Sequence, residues 1–313
     1  MKVSVIIPVK NEEKHIRGLL DSLLTQSRKA DEIVMVDGGS TDRTIEIING
    51  YKKGGMPIKL IEVDEALPGR GRNIAIEAAQ YDIIAMTDGG IVLNQNWLEK
   101  LIVPFEKDSS IEVVYGTYDC YPETLFEKCF CIVYMPAAKQ IEGSNVNSPF
   151  LASSAIKKDI WEKIGGFKEN LRATEDMIFI KEIEKGGFKI KIVPDAKVYW
   201  RPRKNLKETF SLSFRYAICD AIMNFHILRY LKKYLLYLTG IYLLYLATKD
   251  PIWIILLLIG FLLNLLLVCR KHWKDFLSII RNKPYAIFYI ILIILTLDIS
   301  QLIGFLTGKI GKR

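Results

Sequence analysis

The stretch from Tyr285 to Phe305 is apolar over a length that crosses a bilayer as one helix, which restricts the chain to architectures with a membrane-facing part. Ile252 to Val268 is close to the lower limit for another crossing, and Tyr234 to Ala247 is strongly apolar but short. The link Thr248-Lys249-Asp250-Pro251 makes these two a tight helical hairpin, with Tyr234, Tyr237 and Trp253 as interfacial anchors. From Met1 to about Arg203, by contrast, charge, glycine and short apolar runs mix as in a soluble α/β protein. The overall 50% of hydrophobic residues therefore averages two materials. The expected organisation is a domain over 1–203, an amphipathic or interfacial connector over 204–232, and a transmembrane helical region over 233–313. That region has three segments, near 234–248, 252–268 and 285–306.

The net charge of +8 raises the question of nucleic acid. Its distribution answers it. Arg201, Arg203, Lys204 and Lys207, then Arg229, Lys232 and Lys233, then Arg270, Lys271 and Lys274 all stand beside or between apolar segments, where they fit anionic headgroups and not a nucleic-acid stripe. The five cysteines make no convincing disulfide ladder by their spacing, and Cys129 with Cys131 lacks the matching partners of a metal site. The apolar run Val3 to Val9 is too short for a signal peptide. The N-terminal domain is thus expected on the cytoplasmic side of the cell membrane in a multi-pass protein. The loop bearing Arg270, Lys271, Lys274, Arg281 and Lys283 returns to that side, and three spans place Lys309, Lys312 and Arg313 outside. Asp298, inside the last apolar segment, requires a partner, a wet position or a functional role.

Val3 to Val9, Glu32 to Val36, Ile58 to Val63 and Ile83 to Met86 read as buried strands, separated by helices over Glu12 to Leu24, from Thr44, and over Arg70 to Ala79. Nearly continuous apolar strands alternating with helices indicate a mostly parallel sheet covered on both faces. Further on, Trp97 begins a helical pattern and Ile111 to Gly116 a strand. Tyr118 to Gly143 fits more than one period, and Ile156 to Ile164 reads as helix. Thr174-Glu175-Asp176 opens another helix, and Ile190 to Val193 and Ala196 to Trp200 supply the last strands. Leu206 to Tyr230 reads as a long helix with a partial apolar stripe, at the interface or against the first domain.

Ligands of open α/β sheets bind at strand C-terminal ends. Those ends carry Asp37-Gly38-Gly39-Ser40-Thr41-Asp42 and Thr87-Asp88-Gly89-Gly90, which match neither a dinucleotide fingerprint nor a P-loop. Asp37 fits either a strand-end turn or an acceptor for a base or ribose. Trp97, Trp161 and Phe167 fit either the core or a sugar-facing surface.

The ordered set Val5-Ile6-Ile7-Pro8, Asn11-Glu12-Glu13, Val36-Asp37-Gly38-Gly39-Ser40-Thr41-Asp42, Arg72-Asn73, Thr87-Asp88, Trp97-Leu98-Glu99, Gly165-Gly166-Phe167 and Glu175-Asp176 resembles family 2 glycosyltransferases of the GT-A fold. The likeness runs over roughly residues 3 to 200, and the helical tail is similar to those of membrane-bound members acting on lipid-linked sugars or surface polysaccharides. The resemblance implies that Pro8, Asn11 and Glu12 line the nucleotide pocket and that Asp37 contacts the base or ribose. It implies that Arg72 approaches the donor phosphates or holds the neighbouring loop. Asp88 would stand at the diphosphate and its metal, and Glu175-Asp176 would be the acceptor-site acidic pair with Asp176 the base.

The implied enzyme is an inverting hexosyltransferase using a UDP-sugar or GDP-sugar with Mg2+ or Mn2+. Its acceptor is lipid-linked or membrane-proximal, beside a lipid bilayer. Two departures stand out. Gly90 occupies the place of the family's frequent second aspartate, and Gly38 that of a second acid after Asp37. No Gln-x-x-Arg-Trp motif of processive synthases follows Trp200, which implies single additions. Trp200, Arg201 and Arg203 are candidates for the acceptor or for phosphate. Transfer to a polyprenyl or dolichyl phosphate, and a non-catalytic GT-A scaffold, are the competing readings.

Overall fold

The computed structural model describes residues 1–136, 139–141, 144–146 and 150–311, with the side chains of 139–141 and 144–146 left aside. Gly143, at the end of the stretch that fits more than one period, lies outside the described residues, as do Lys312 and Arg313. In chain order the elements are β1 (Val3–Val9), α1 (Ile16–Leu24), β2 (Glu32–Asp37), α2 (Thr44–Lys53), β3 (Ile58–Glu62), α3 (Pro68–Ala78), β4 (Ile83–Met86), β5 (Val92–Leu93), α4 (Trp97–Lys107), β6 (Val113–Cys120), α5 (Leu125–Tyr134), β7 (Lys139–Ile141), β8 (Ser144–Val146), β9 (Ser154–Lys157), α6 (Lys158–Ile164), α7 (Glu175–Lys185) and β10 (Ile190–Trp200). Five helices follow: α8 (Leu206–Ile222), α9 (Ile227–Ala247), α10 (Ile252–Cys269), α11 (Trp273–Asn282) and α12 (Ala286–Ile310).

One sheet has the order β3-β2-β1-β4-β9-β6-β10-β5, and β7 pairs with β8 in a second. β1, β2, β3, β4, β6 and β10 run parallel, while β9 and β5 run against their neighbours. Successive residues of β1 enter opposite layers, as the pleat requires. Val3, Val5 and Ile7 pack with Leu19, Leu20, Ile48, Trp97 and Leu101 on one face. Ile6 packs with Ala75, Ile76, Ile160, Phe179 and Ile183 on the other. Trp97 belongs to this core, fully buried with its indole N–H on Ser153 Oγ at 3.0 Å. Phe167 does too, stacked on Phe179 with ring centroids 4.0 Å apart.

Three readings change, the first being Leu206 to Tyr230, which is not one helix: α8 ends at Ile222 and α9 begins at Ile227, with Asn224 and His226 at φ 56° and 53° between them. Ile156 lies in β9, not in a helix, because Ser154, Ala155 and Ile156 fill the gap between β4 and β6 and are fully buried there. The two last strands are one, β10, whose register shifts between Ile192 and Lys197 against β6.

The chain divides into two compact units, Met1–Tyr121 with Ala138–Arg201, and Pro122–Ala137 with Pro202–Arg313. The first contains the eight-stranded sheet. In the second, two helical stretches, Ile252–Asn282 and Ala286–Ile310, are long and apolar enough to cross a membrane. Most of the α10 surface has no protein cover, with Ile255, Leu258, Leu262, Leu263 and Leu267 each more than half exposed, whereas α12 is partly enclosed. Side chains this apolar, left bare, mark the pair as membrane-associating.

α8 covers α12 through small residues. A Cβ on Gly304 would lie 2.6 Å from the Phe214 carbonyl oxygen and 3.0 Å from Ala217 Cβ, so only glycine permits this helix separation. Asp298 has a structural partner: the Lys233 ammonium donates to its Oδ1, Tyr237 donates to its Oδ2 at 2.9 Å, and Lys233 also reaches Gln301 Oε1 at 2.6 Å. Gly304→Leu is expected to destabilise the second unit by about 1–3 kcal/mol through overpacking. Thermal unfolding of the full chain in detergent measures this. Gly240→Ala is the matched control, since a Cβ there meets nothing within 4 Å.

Candidate active site

The loops after β1 and β2 are fastened to each other. Asn11 sits at φ 55°, a left-handed conformation asparagine tolerates. From there its N–H donates to Ser40 Oγ at 2.8 Å, and its side-chain oxygen accepts from the Thr41 N–H at 2.8 Å. Glu12 N–H donates to Thr44 Oγ1 at 2.7 Å. Asp37, buried at the end of β2, accepts from the N–H groups of Gly39 and Ser40 at 3.0 and 2.8 Å and from Ser40 Oγ at 2.5 Å. The strand-end turn role of Asp37 is thus present in the fold. The same carboxylate borders a cavity of about 360 Å³ lined also by Ser40, Thr41, Ile45, Glu62 and Asp64.

The second group of residues centres on Arg72. Its helix, α3, approaches the chain before α7 closely: a Cβ on Gly69 would lie 2.2 Å from the Lys168 carbonyl oxygen and 3.5 Å from Glu175 Cγ. Gly71 lets the same turn rest on Pro8, whose Cβ is 3.2 Å from where a Cβ would stand. So placed, the Arg72 guanidinium donates from Nη1 to Glu175 Oε1 at 2.6 Å and from Nη2 to Asp88 Oδ1 at 2.7 Å. The Arg72 and Glu175 side chains are 5% and 6% exposed, while Asp88 is 39% exposed and opens toward solvent. Burial alone would weaken the guanidinium's charge, but the nearby carboxylates of Asp88, Glu175 and Asp176 outweigh it and raise its pKa. Residues from the ends of β4, α3 and α7 therefore meet at one cation.

Asp176 stands next to this bridge, half-buried in the first turn of α7, with Oδ1 accepting from the Met177 N–H at 2.8 Å. Loss of hydration and then the like charge of Glu175 push its pKa up to about 6, against the opposing pull of Arg72 and the Met177 N–H. Thr174, preceding the pair, has φ 75°, a strained conformation for a β-branched residue. Glu175 Oε2, Thr174 Oγ1 and Thr87 Oγ1 are buried with no hydrogen-bond partner among the described residues. Such orphaned groups in native proteins gather where ligands or strain are accommodated.

Asp88 is the candidate side-chain ligand for a divalent cation. Arg72 already engages Asp88 Oδ1, so the outer oxygen of this partly exposed carboxylate is the side-chain ligand on offer. The Glu12 carboxylate lies beside Gly90, its Oε2 3.5 Å from where a Cβ would stand, and so occupies the neighbourhood of the absent second aspartate. No cluster of three metal-ligating side chains occurs among the described residues. One or two carboxylates completed by phosphate oxygens and water is a donor set suited to Mg2+ or Mn2+.

Trp200 ends β10, half-buried, and its carbonyl accepts from the Tyr121 N–H at 3.0 Å. Arg201 lies against α1, with Nη2 3.4 Å from where a Gly18 Cβ would stand, and Arg203 belongs to the second unit. The structure draws Arg72, Asp88, Glu175 and Asp176 together, and fastens Asn11 and Glu12 to the loop of Asp37. Glu62 and Asp64 were missed by the sequence reading. Their position at the C-terminal end of a parallel strand was the signal that points to them.

The sequence profile of the family described as Glycosyl transferase family 2 matches residues 4–165, more than half of the 313 residues. The chain belongs to this family. Its fold is the mixed α/β GT-A arrangement expected from the motifs, followed by two apolar helices of membrane-crossing length. Among relatives of this family 2 chain, the poly(ribitol-phosphate) beta-N-acetylglucosaminyltransferase TarS of Staphylococcus aureus is 25% identical over 65% of the chain and 36% of the relative. The glycosyltransferase AglE of Haloferax volcanii is 26% identical over 68% of the chain and 71% of the relative. The chain thus spans about a third of TarS. Among solved structures, the mannosyltransferase PcManGT from Pyrobaculum calidifontis, in complex with GDP-Man and Mn2+, superposes with a TM-score of 0.56 at 18% identity, covering 100% of this chain and 88% of that one. S. aureus TarS 1-349 in complex with UDP-GlcNAc gives 0.52 at 22% identity, covering 72% and 68%. These likenesses establish the fold.

Proposed function

We propose that this family 2 chain transfers one hexose at a time, with inversion, from a UDP-sugar or GDP-sugar to a hydroxyl of a lipid-linked saccharide or surface polysaccharide, at the cytoplasmic face of the cell membrane. The observation that carries this reading is the Arg72 bridge, which joins Asp88 to Glu175 and sets Asp176 beside them. Sugar transfer needs two opposite services, relief of charge on the departing diphosphate and removal of a proton from the incoming hydroxyl. The bridge keeps one acid for each.

In this mechanism the base and ribose of the donor occupy the cavity bordered by Asp37, Ser40, Thr41, Glu62 and Asp64, and Pro8, Asn11 and Glu12 shape its approach. Asp88 and Arg72 face the diphosphate. Asp88, with Glu12 near, would hold Mg2+ or Mn2+, and the ion would supply neutralisation of charge on the leaving group. Asp176 accepts the proton of the acceptor hydroxyl as its oxygen bonds to the anomeric carbon. The bond from that carbon to the diphosphate oxygen breaks on the opposite face, releasing the nucleoside diphosphate. A carboxylate with a pKa of about 6 is ionised at neutral pH, yet is a stronger base than an ordinary aspartate.

That strength favours a hydroxyl acceptor over a prenyl phosphate, which is already ionised and needs no base. Polymer-directed relatives support the acceptor class: TarS is named for poly(ribitol-phosphate), and RfbN of Salmonella typhimurium, 25% identical, for the O-antigen chain. The donors in the two solved structures, UDP-GlcNAc and GDP-Man, fall in the two proposed donor classes.

A panel of nucleotide sugars incubated with the full chain and host membranes, with products read by mass spectrometry and anomeric configuration by NMR, tests the proposal. The expected result is one added hexose on a saccharide, inverted relative to the donor. Product on phosphorylated prenol alone would replace this acceptor class, and absence of donor turnover with every acceptor and cation would leave only a scaffold.

A further inference from the structure

Between the apolar body of α10 and the start of α12, the chain forms a short 3-10 turn over Arg270–His272 and then α11. At about 100° per residue, Trp273, Phe276, Leu277 and Ile280 share one side of α11. Their surroundings differ. Phe276 is buried, whereas Trp273 and Leu277 are 41% and 47% exposed. Lys274 and Arg281 occupy the adjoining side, and Arg270, Lys271 and Lys283 flank the helix, all five cations exposed. Asp275 is the only acid of the helix, and it faces His272 at 4.0 Å. His272 in turn holds the Met135 carbonyl at 3.3 Å and so fixes the turn that leads into α11.

An apolar edge carrying Trp and Leu beside a cationic flank is the pattern of a helix lying in the headgroup plane of a membrane, and the buried Phe276 holds α11 to its own unit. α11 is the polar C-terminal part of the stretch Ile252–Asn282, whose apolar body is α10, and only Lys283, Pro284 and Tyr285 separate it from α12, so it cannot move far from the ends of α10 and α12. We propose that α11 is an anionic-phospholipid site. Trp273, Leu277 and Ile280 enter the boundary between headgroups and acyl chains, while Arg270, Lys271, Lys274, Arg281 and Lys283 take lipid phosphates. This assigns a partner chemistry to a surface with no part in sugar transfer, and it stands or falls independently of the donor and acceptor.

Native mass spectrometry of the full chain, released from neutral detergent with equimolar phosphatidylglycerol and phosphatidylcholine, reads the preference. The expected retention favours phosphatidylglycerol by about tenfold or more, given the attraction of each cation near an anionic surface. R270Q/K271Q/K274Q/R281Q/K283Q brings the ratio close to one, and K14Q/K52Q/K53Q/K107Q/K185Q leaves it unchanged. Equal retention of both lipids by the natural chain, or an undiminished preference in the α11 variant, overturns the proposal. A second measurement does not depend on the multiple variant. In vesicles of phosphatidylglycerol, the emission lost in Trp273→Phe should be quenched by lipids brominated near the headgroup. If that emission is instead quenched by aqueous iodide and untouched by lipid bromine, α11 does not lie in the interface.

Discussion

Asp176→Asn lowers sugar transfer by about 10³-fold, the scale of a lost general base, while UDP or GDP binding measured by calorimetry stays within a few-fold of the natural chain. The two readouts separate because Asp176 belongs to α7 and the cavity proposed for the nucleotide is built from the ends of β2 and β3. Before substitution, the transfer rate should rise with pH through about 6, as Asp176 loses its proton, and the variant's residual rate should not show that limb. Stability moves the other way. The folded chain holds the Asp176 proton more tightly than the unfolded chain, whose value is 3.8. Unfolding therefore becomes easier as pH rises between about 4 and 6. Asp176→Asn removes that penalty, so the variant should melt at a higher temperature than the natural chain at pH 7.5 and at the same temperature near pH 3.5. Unchanged turnover in the variant would withdraw the base assignment, and an unchanged melting difference across that range would withdraw the cause given for its raised pKa.

Arg72→Met is the second large effect. It takes the shared cation from two carboxylates, one of them nearly solvent-free, and breaking a buried pair by removing one partner costs about 3–5 kcal/mol. Arg72 also opposes protonation of Asp176, so its loss pushes the acid limb of the rate profile above pH 6. Arg72→Lys keeps the charge but has no planar fork to span Asp88 and Glu175 together. It should recover part of the stability and little of the transfer rate. Chemical denaturation of the full chain in detergent gives the first quantity, and pH-rate profiles of both variants give the second. Arg72→Met with natural stability and an unmoved acid limb would show that the bridge organises nothing.

Several features were legible without coordinates. The run Val3–Val9, broken only by Ser4, and the four apolar residues of Ile83–Met86 bound β1 and β4, because a strand buried on both faces is apolar at nearly every position. Asp37 and Asp88 at strand ends were legible for a related reason, since parallel strands all deliver their loops to one edge, whereas Glu62 and Asp64 at the end of β3 carried no motif to single them out. β9 was not. Ser154-Ala155-Ile156-Lys157 carries no strand signal of its own and is extended because β4 and β6 leave a place for one more strand between them. Trp97 and Phe167 show the same limit, since an aromatic beside a suspected sugar site has one composition whether it faces substrate or core.

What the sequence determined by itself, then, was the division into a nucleotide-binding type of α/β sheet and an apolar helical tail, along with the identity of the acids. These follow from hydrophobic periodicity and motif order, which are local properties of the chain. Only the tertiary structure decided that Arg72 holds Asp88 and Glu175 at once across 16 and 103 residues of sequence, that Glu12 stands beside Gly90, and that Lys233 answers Asp298. Each is a proximity set by how loops and helices dock on the sheet or on one another. Such a distance appears only when the packing is complete.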